Sequence, residues 1–232
     1  MSRSVYMKRL DIIQSEINER VLKPNGFKKK GRSHNRTALD GLTQVITFQV
    51  GQSYRGDNDF FSVFIGVRVP ESFERTYVED IPLKAFYQYY HCNIVTCINE
   101  PLGHAAFKHK RVRYNSKCFS LAEENNQPII DEVVEKIEKY VFPMLSDLDT
   151  REKIIENRLK YWDKYKEFEL ANSFVYNLDT AMIYGHFGNI EKVTRMIRQA
   201  YDDASKLPAS QGYVEELSSR LGIVIDTSKR NK

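Results

Sequence analysis

From Phe60 to Val69 the apolar side chains fall at every second residue: Phe61, Val63, Ile65, Val67 and Val69 alternate with Phe60, Ser62, Phe64, Gly66 and Arg68. Side chains of an extended chain point alternately to two faces, so a period of two predicts a strand. Leu42 to Val50 repeats the pattern, with Ile46, Phe48 and Val50 on one face and Val45, Thr47 and Gln49 on the other. Both runs are rich in β-branched and aromatic residues, which suit a pleated surface. Gly51 to Asp59 supplies turn chemistry between them. Phe27 to Thr37 reads as a third, more polar strand, joined through Ala38-Leu39-Asp40-Gly41. Three sequential strands with short connections predict an antiparallel meander.

Around this sheet the period changes. Tyr6, Leu10, Ile13, Ile17 and Val21 recur at helical spacing, predicting an amphipathic helix over residues 4–22 that Pro24-Asn25-Gly26 stops. Leu83 to Ile98 reads as a helix carrying Phe86, Tyr87, Tyr89 and Tyr90. Ala105–Tyr114 and Lys117–Leu121 read as a second hairpin turning at Asn115-Ser116.

Beyond Gln127 the chain reads as helix throughout. Successive stripes are Ile130 to Met144, Ile154 to Trp162, Ala171 to Met182, Ile190 to Ala204 and Val214 to Leu221. Asp149 with Glu152 reads as a capping box before the second of these. Gly185 and Gly188 lie where two helices would turn back on each other, as in one unit of a helical repeat. Elements segregated in this way predict α+β: an antiparallel sheet of about five strands with an N-terminal helix and following helices, plus an all-helical extension. The expected division is an α+β domain over residues 1–165 and a helical extension over 166–232, within the range that 232 residues allow.

Function is less legible. No phosphate-binding glycine loop, no Gly-x-Ser-x-Gly elbow and no His-Glu-x-x-His is present, so the common motif-bearing enzyme classes are disfavoured and no catalytic residue is assigned. His91, Cys92, Cys97, His104, His109 and Cys118 invite a zinc reading. Their spacing fits no finger, however, and Cys92 and Cys97 fall on different faces of a helix. The expectation is no metal and no cofactor, with buried thiols and solvent-facing histidines. Three scattered cysteines and an opening segment charged every few residues predict reduced thiols in the cytosol, without secretory signal or membrane span.

The net charge of +4, from 35 basic and 31 acidic residues, hides a polarised chain. Between Arg20 and Leu39 no acid occurs, but Lys23, Lys28, Lys29, Lys30, Arg32 and Arg36 do, with His34 among them. Between Pro101 and Ala122 there is again none, with Lys108, Lys110, Arg111, Arg113 and Lys117, plus His104 and His109. If these segments are neighbouring strands, Lys28, Lys29, Lys30, Arg32, Arg36, Lys108, Arg111 and Arg113 form one basic face. The partner expected for such a face is an acidic protein or peptide. Nucleic acid is the alternative, and a plain lysine-blunted sheet edge is the blander reading. A third possibility is a hydrolase using His34, Gln49 and scattered carboxylates. Gln49 is polar at the end of an apolar strand, so a buried amide there needs partners.

Gly26-Phe-Lys-Lys-Lys-Gly-Arg-Ser-His-Asn-Arg36, then Thr43-Gln-Val-Ile-Thr-Phe-Gln49, then Phe61-Ser-Val-Phe-Ile-Gly66 resemble the domain-of-unknown-function family 4304 over roughly residues 5–160. His34 stands where that family tends to carry an aromatic or apolar residue, and Lys117-Cys-Phe-Ser-Leu121 has no tryptophan where the family has one. The resemblance implies a shared fold and a bacterial cytosolic setting, with no known activity. Residues 170–225 look like an addition outside it.

Overall fold

The computed structural model describes residues 5–51, 60–72, 86–98, 118–122, 124–165, 173–206 and 208–226. The protein is α+β. It divides into two compact units: Met1–Arg68 with Lys84–Ile154, and Val69–Leu83 with Ile155–Lys232.

Among the described residues the first unit is built on an antiparallel sheet of six strands: β1 (Lys28–Lys30), β2 (Ser33–Thr37), β3 (Thr43–Gly51), β4 (Phe60–Arg68), β5 (Ile94–Cys97) and β6 (Phe119–Ser120). The order is β1-β2-β3-β4-β5, and β6 also pairs with β4. The two alternating runs are the long central strands β3 and β4, paired from Thr43↔Arg68 to Gly51↔Phe60.

The expected polar strand over 27–37 is two strands instead of one. Gly31, with φ of 61°, takes the left-handed conformation that a side chain resists, and turns the chain after Lys30. The expected helix over 83–98 is corrected as well. Its described part is a single short turn, Tyr89–His91, followed by β5 on β4. Ile94-Val-Thr-Cys is β-branched and short, and this outweighs the helical reading of the aromatics before it. In the expected second hairpin, the arm over 105–114 lies outside the described residues, and the other arm contributes β6.

Among the described residues three helices cover one face of the sheet: α1 (Val5–Ile17), α2 (Gln127–Lys136) and α3 (Phe142–Ser146). Leu10, Ile13 and Ile17 of α1 and Ile130, Val133 and Val134 of α2 are buried with Ile46, Phe48, Phe61, Val63, Ile65 and Val67 of the strands. Phe48, Phe61 and Phe119 stack in sequence across three strands, at 6.1 and 5.2 Å. Polar side chains tie the helices to this face. Arg9 Nη1 donates to the Leu121 carbonyl at 2.6 Å, and Gln44 Nε2 donates to the Leu145 carbonyl at 2.7 Å. A π turn over Ile137–Val141 joins α2 to α3. Its wider turn carries the inward face on to Leu145, where strict α-helical spacing had pointed to Met144. Helix α4 (Arg151–Tyr165) starts from a Thr150 cap, whose Oγ1 accepts from the Lys153 amide at 3.3 Å, so Thr150 does the work expected of Asp149.

The second unit contains the later part of α4, then α5 (Ser173–His186), α6 (Ile190–Asp203) and α7 (Pro208–Arg220). Helices α5 and α6 form the expected hairpin. Gly188 turns at φ of 68°, and Asn189 caps α6 by accepting from the Lys192 amide at 3.1 Å. Helix α5 is buried nearly all round from Tyr176 to Tyr184, so one apolar stripe understates it, whereas Ile190 is 67% exposed. Within this unit Arg158 and Asp179 form a buried ion pair at 3.5 Å, and Arg158 Nη1 also donates to Thr180 Oγ1 at 3.2 Å.

Gly66 of β4 is a packing necessity. A Cβ there would lie 2.6 Å from Cys92 Sγ and 2.8 Å from Cys92 Cβ. Gly66→Ala is therefore expected to lower stability by about 1–3 kcal/mol through overpacking. A urea midpoint checks this, and Gly66→Ala combined with Cys92→Gly should recover part of the loss. An unchanged midpoint in Gly66→Ala would contradict the seating of Cys92 on β4.

Candidate functional site

The basic segment begins at the outer strand. Among the described residues β1 pairs only with β2, in the register Lys28↔Asn35, Lys29↔His34 and Lys30↔Ser33. All three lysines are exposed. Alternation places Lys28 and Lys30 on one side and Lys29 on the other, where its Nζ donates to Ser15 Oγ at 3.1 Å. No carboxylate among the described residues pairs with these three. Lys23, by contrast, is engaged by Glu19 at 2.8 Å, and that contact holds the Glu19 carboxyl below its usual range.

The two arginines of this segment turn inward. Arg32 is half-buried and its Nη2 lies 3.0 Å from Met7 Sδ. Arg36 donates through Nε and Nη2 to Gln44 Oε1, at 3.0 and 2.6 Å, and through Nη1 to the Asn25 carbonyl at 3.0 Å. Its guanidinium covers the Phe27 ring at 4.7 Å, a cation–π contact. Burial lowers the Arg36 pKa, with Asp149 opposing. Arg36 thus fastens β2 to the chain around it. Lys108, Arg111 and Arg113 lie outside the described residues, as does any adjacency of the two basic segments.

His34 was counted with the cations, and the structure corrects this. It is fully buried on the helix-covered face, with its ring edge-on to Phe48 at 5.6 Å. Neither ring nitrogen makes a hydrogen bond of good geometry. Burial, with Lys29 adding to it, lowers its pKa to about 4; the Ile46 backbone offsets only part of this. His34 is therefore neutral at pH 7 and occupies an aromatic core position. Gln49 projects to the opposite face, opposite Ser62, and its Nε2 donates only to the neighbouring Val50 carbonyl at 3.3 Å. His34 and Gln49 therefore do not converge.

That second face holds a polar network which sequence reading missed. Ser33 and Thr47 hydroxyls meet at 2.9 Å across β2 and β3, and Ser33 Oγ also donates to Gln88 Oε1 at 2.6 Å. Asn35 holds the backbone of Tyr87 from both sides: Oδ1 accepts its amide at 2.6 Å and Nδ2 donates to its carbonyl at 3.0 Å. Arg68 stacks on the Tyr87 ring at 4.2 Å, and Tyr89 stacks on Phe64 at 4.3 Å. Residues 86–93 thereby cover the sheet. The signal available in sequence was the alternation of Ser33 and Asn35 with His34; the partners lie more than fifty residues away.

Of the zinc candidates, His91 is buried instead of solvent-facing, and its Nδ1 accepts from the Gln88 amide at 2.9 Å. Cys92 Sγ donates to the Gln88 carbonyl at 3.7 Å, and burial pushes its thiol pKa far up. His104 and His109 lie outside the described residues. Among those described, no group of three His, Cys, Asp or Glu side chains could hold a metal ion. No described helix is long and apolar enough to cross a membrane.

Residues 19–147 match the model of the family described as Domain of unknown function (DUF4304), which is more than half of the 232-residue chain. The chain belongs to that family. No curated protein and no solved structure matches it significantly.

His34 makes stability depend on pH with a definite sign. The folded-state pKa of about 4 lies below the ordinary 6.5, so the unfolded chain takes up the proton first as pH falls. Stability is whole above pH 6.5 and declines towards pH 4, by about 3 kcal/mol from this group alone at ~1.4 kcal/mol per unit. His34→Phe should flatten that part of the profile while keeping the contact with Phe48. Denaturant midpoints between pH 7 and pH 4.5 measure it; parallel profiles for the two proteins would refute the assignment.

Proposed function

We propose that this DUF4304 chain is a non-enzymatic binding protein that engages an acidic protein or peptide through the lysine edge at β1. The observation that carries the reading is that Lys28, Lys29 and Lys30 are all exposed on an outer strand. The hairpin that presents them is fixed by its own backbone. Gly26 and Gly31 bracket the lysines at φ of 82° and 61°, and Arg36, rooted in Gln44 and Phe27, braces the returning strand.

The energetics suit a weak, salt-sensitive contact. Each exposed ammonium–carboxylate pair is worth about 0–1 kcal/mol, and several together give measurable affinity and faster association. The hydrolase alternative loses support because His34 is neutral in the core and faces away from Gln49. Nucleic acid would use the same lysines, and the two partners separate by their response to salt and to probe chemistry.

Fluorescence anisotropy with a labelled polyglutamate peptide and with a single-stranded oligonucleotide distinguishes them. Lys28→Glu combined with Lys30→Glu, both at exposed positions, should weaken polyglutamate binding about tenfold or more, since two reversed contacts at up to ~1 kcal/mol each cost that much. Equal binding by wild type and variant would overturn the proposal. Preference for the oligonucleotide, with a steep negative slope of log affinity on log salt, would reassign the edge to nucleic acid.

A further inference from the structure

The turn that ends β1 fixes which of its backbone groups are free. Lys30 and Ser33 pair across the two residues Gly31 and Arg32. With a loop that short, this closing pair exchanges both of its hydrogen bonds, since the two residues beyond it are joined to each other. Bonded and open pairs alternate along an antiparallel ladder, so Lys28↔Asn35 is bonded and Lys29↔His34 is open. The amide and carbonyl of Lys29 therefore point away from β2, off the edge of the sheet. No described residue takes up either of them. The outward groups on each side are engaged. The Phe27 amide donates to the Leu22 carbonyl at 3.1 Å, and the Gly31 carbonyl accepts from Gln14 Nε2 at 2.9 Å. The open edge is thus centred on Lys29 and flanked by the exposed side chains of Lys28 and Lys30.

We propose that this edge takes a short extended segment of an acidic partner protein as an added antiparallel strand, selecting the pattern acidic–neutral–acidic. The added strand gives a geometry to the acidic-partner reading above, on which it rests. One partner residue pairs with Lys29, accepting from its amide and donating to its carbonyl, as in other cases of strand addition. The residues before and after it lie opposite Lys30 and Lys28. They project to the same face as those two lysines, where carboxylates form cross-strand ion pairs. The central residue projects with Lys29, on the side where Lys29 Nζ donates to Ser15 Oγ. Glu19 lies on that side as well: its carboxyl is held below the usual range chiefly by Lys23 and in smaller part by Lys29. A carboxylate at the centre would be repelled by Glu19, so a neutral residue is preferred there. Lysines keep like strands from pairing with the edge, and an acidic strand removes that repulsion.

Two labelled heptapeptides of identical composition test this. One alternates, Thr-Glu-Thr-Glu-Thr-Glu-Thr; the other, Glu-Glu-Thr-Thr-Glu-Thr-Thr, never places two glutamates two positions apart. By fluorescence anisotropy on the full-length protein, the alternating peptide should bind about fivefold tighter, the worth of one cross-strand ion pair with its backbone bond. Saturating the 15N-labelled protein with it should slow hydrogen exchange at the Lys29 amide. Lys29→Pro removes the outward donor without removing a bond to β2, and should abolish the preference. Lys29→Gln keeps the donor and should retain it. Equal binding of the two peptides, or a Lys29 amide that exchanges equally fast in the complex, would overturn strand addition and leave the lysine edge a contact through side-chain charge alone. Failure of both peptides to bind at low salt would overturn the acidic-partner reading with it.

Discussion

The paired length of β3 and β4 is the constraint on which the first unit depends. Nine register pairs fix which side chains look to the helices and which look away. One face takes Ile46, Phe48, Phe61, Val63, Ile65 and Val67, and α1, α2 and α3 close over it. The other face takes Thr47, Ser62, Phe64 and Gly66, and residues 86–93 lie there. A slip of one residue would exchange the two sets and bury hydroxyls under helices. His34 and Asn35 show how sharp the division is. They are consecutive in β2 and both buried, yet one is an uncharged ring in an apolar core and the other a fully engaged amide.

Much of this arrangement was legible because it rests on period. The alternation over 42–50 and 60–69 marked the central strands, and the helical stripe through Leu10, Ile13 and Ile17 marked α1. What escaped was whatever rests on non-local satisfaction. Ser33 and Asn35 are buried polar residues, and their partners, Thr47 and Gln88 for the one and Tyr87 for the other, make that burial tolerable. Nothing near them in sequence announces those partners. β5 was hidden for a related reason: four residues carry too little pattern to outweigh the aromatic cluster before them. Charge was the least faithful guide. Written in one line, Lys28 to Arg36 is a basic run; folded, His34 is buried, Arg32 and Arg36 are half-buried and engaged, and the three lysines are exposed.

The two glycines at φ of 82° and 61° and the cation–π contact of Arg36 make the lysine edge an assembled feature, not a loose loop. Edge strands are exposed to pairing with other chains, and lysines discourage it by repulsion and solvation. For a surface carrying carboxylates or phosphates the same charges are an attraction. Protection and recognition are thus compatible uses of the same three side chains.

The Asn35 amide has a consequence of another kind. By holding both backbone polar groups of Tyr87, one side chain takes the place of a neighbouring strand. What it reads is peptide geometry, which every residue but proline presents alike. This backbone anchor is therefore blind to the side chain at position 87, whereas the stacking of Arg68 on the Tyr87 ring requires an aromatic there. The information for the backbone grip is stored at position 35 and that for the ring contact at positions 68 and 87, so the segment is held by two contacts of different selectivity.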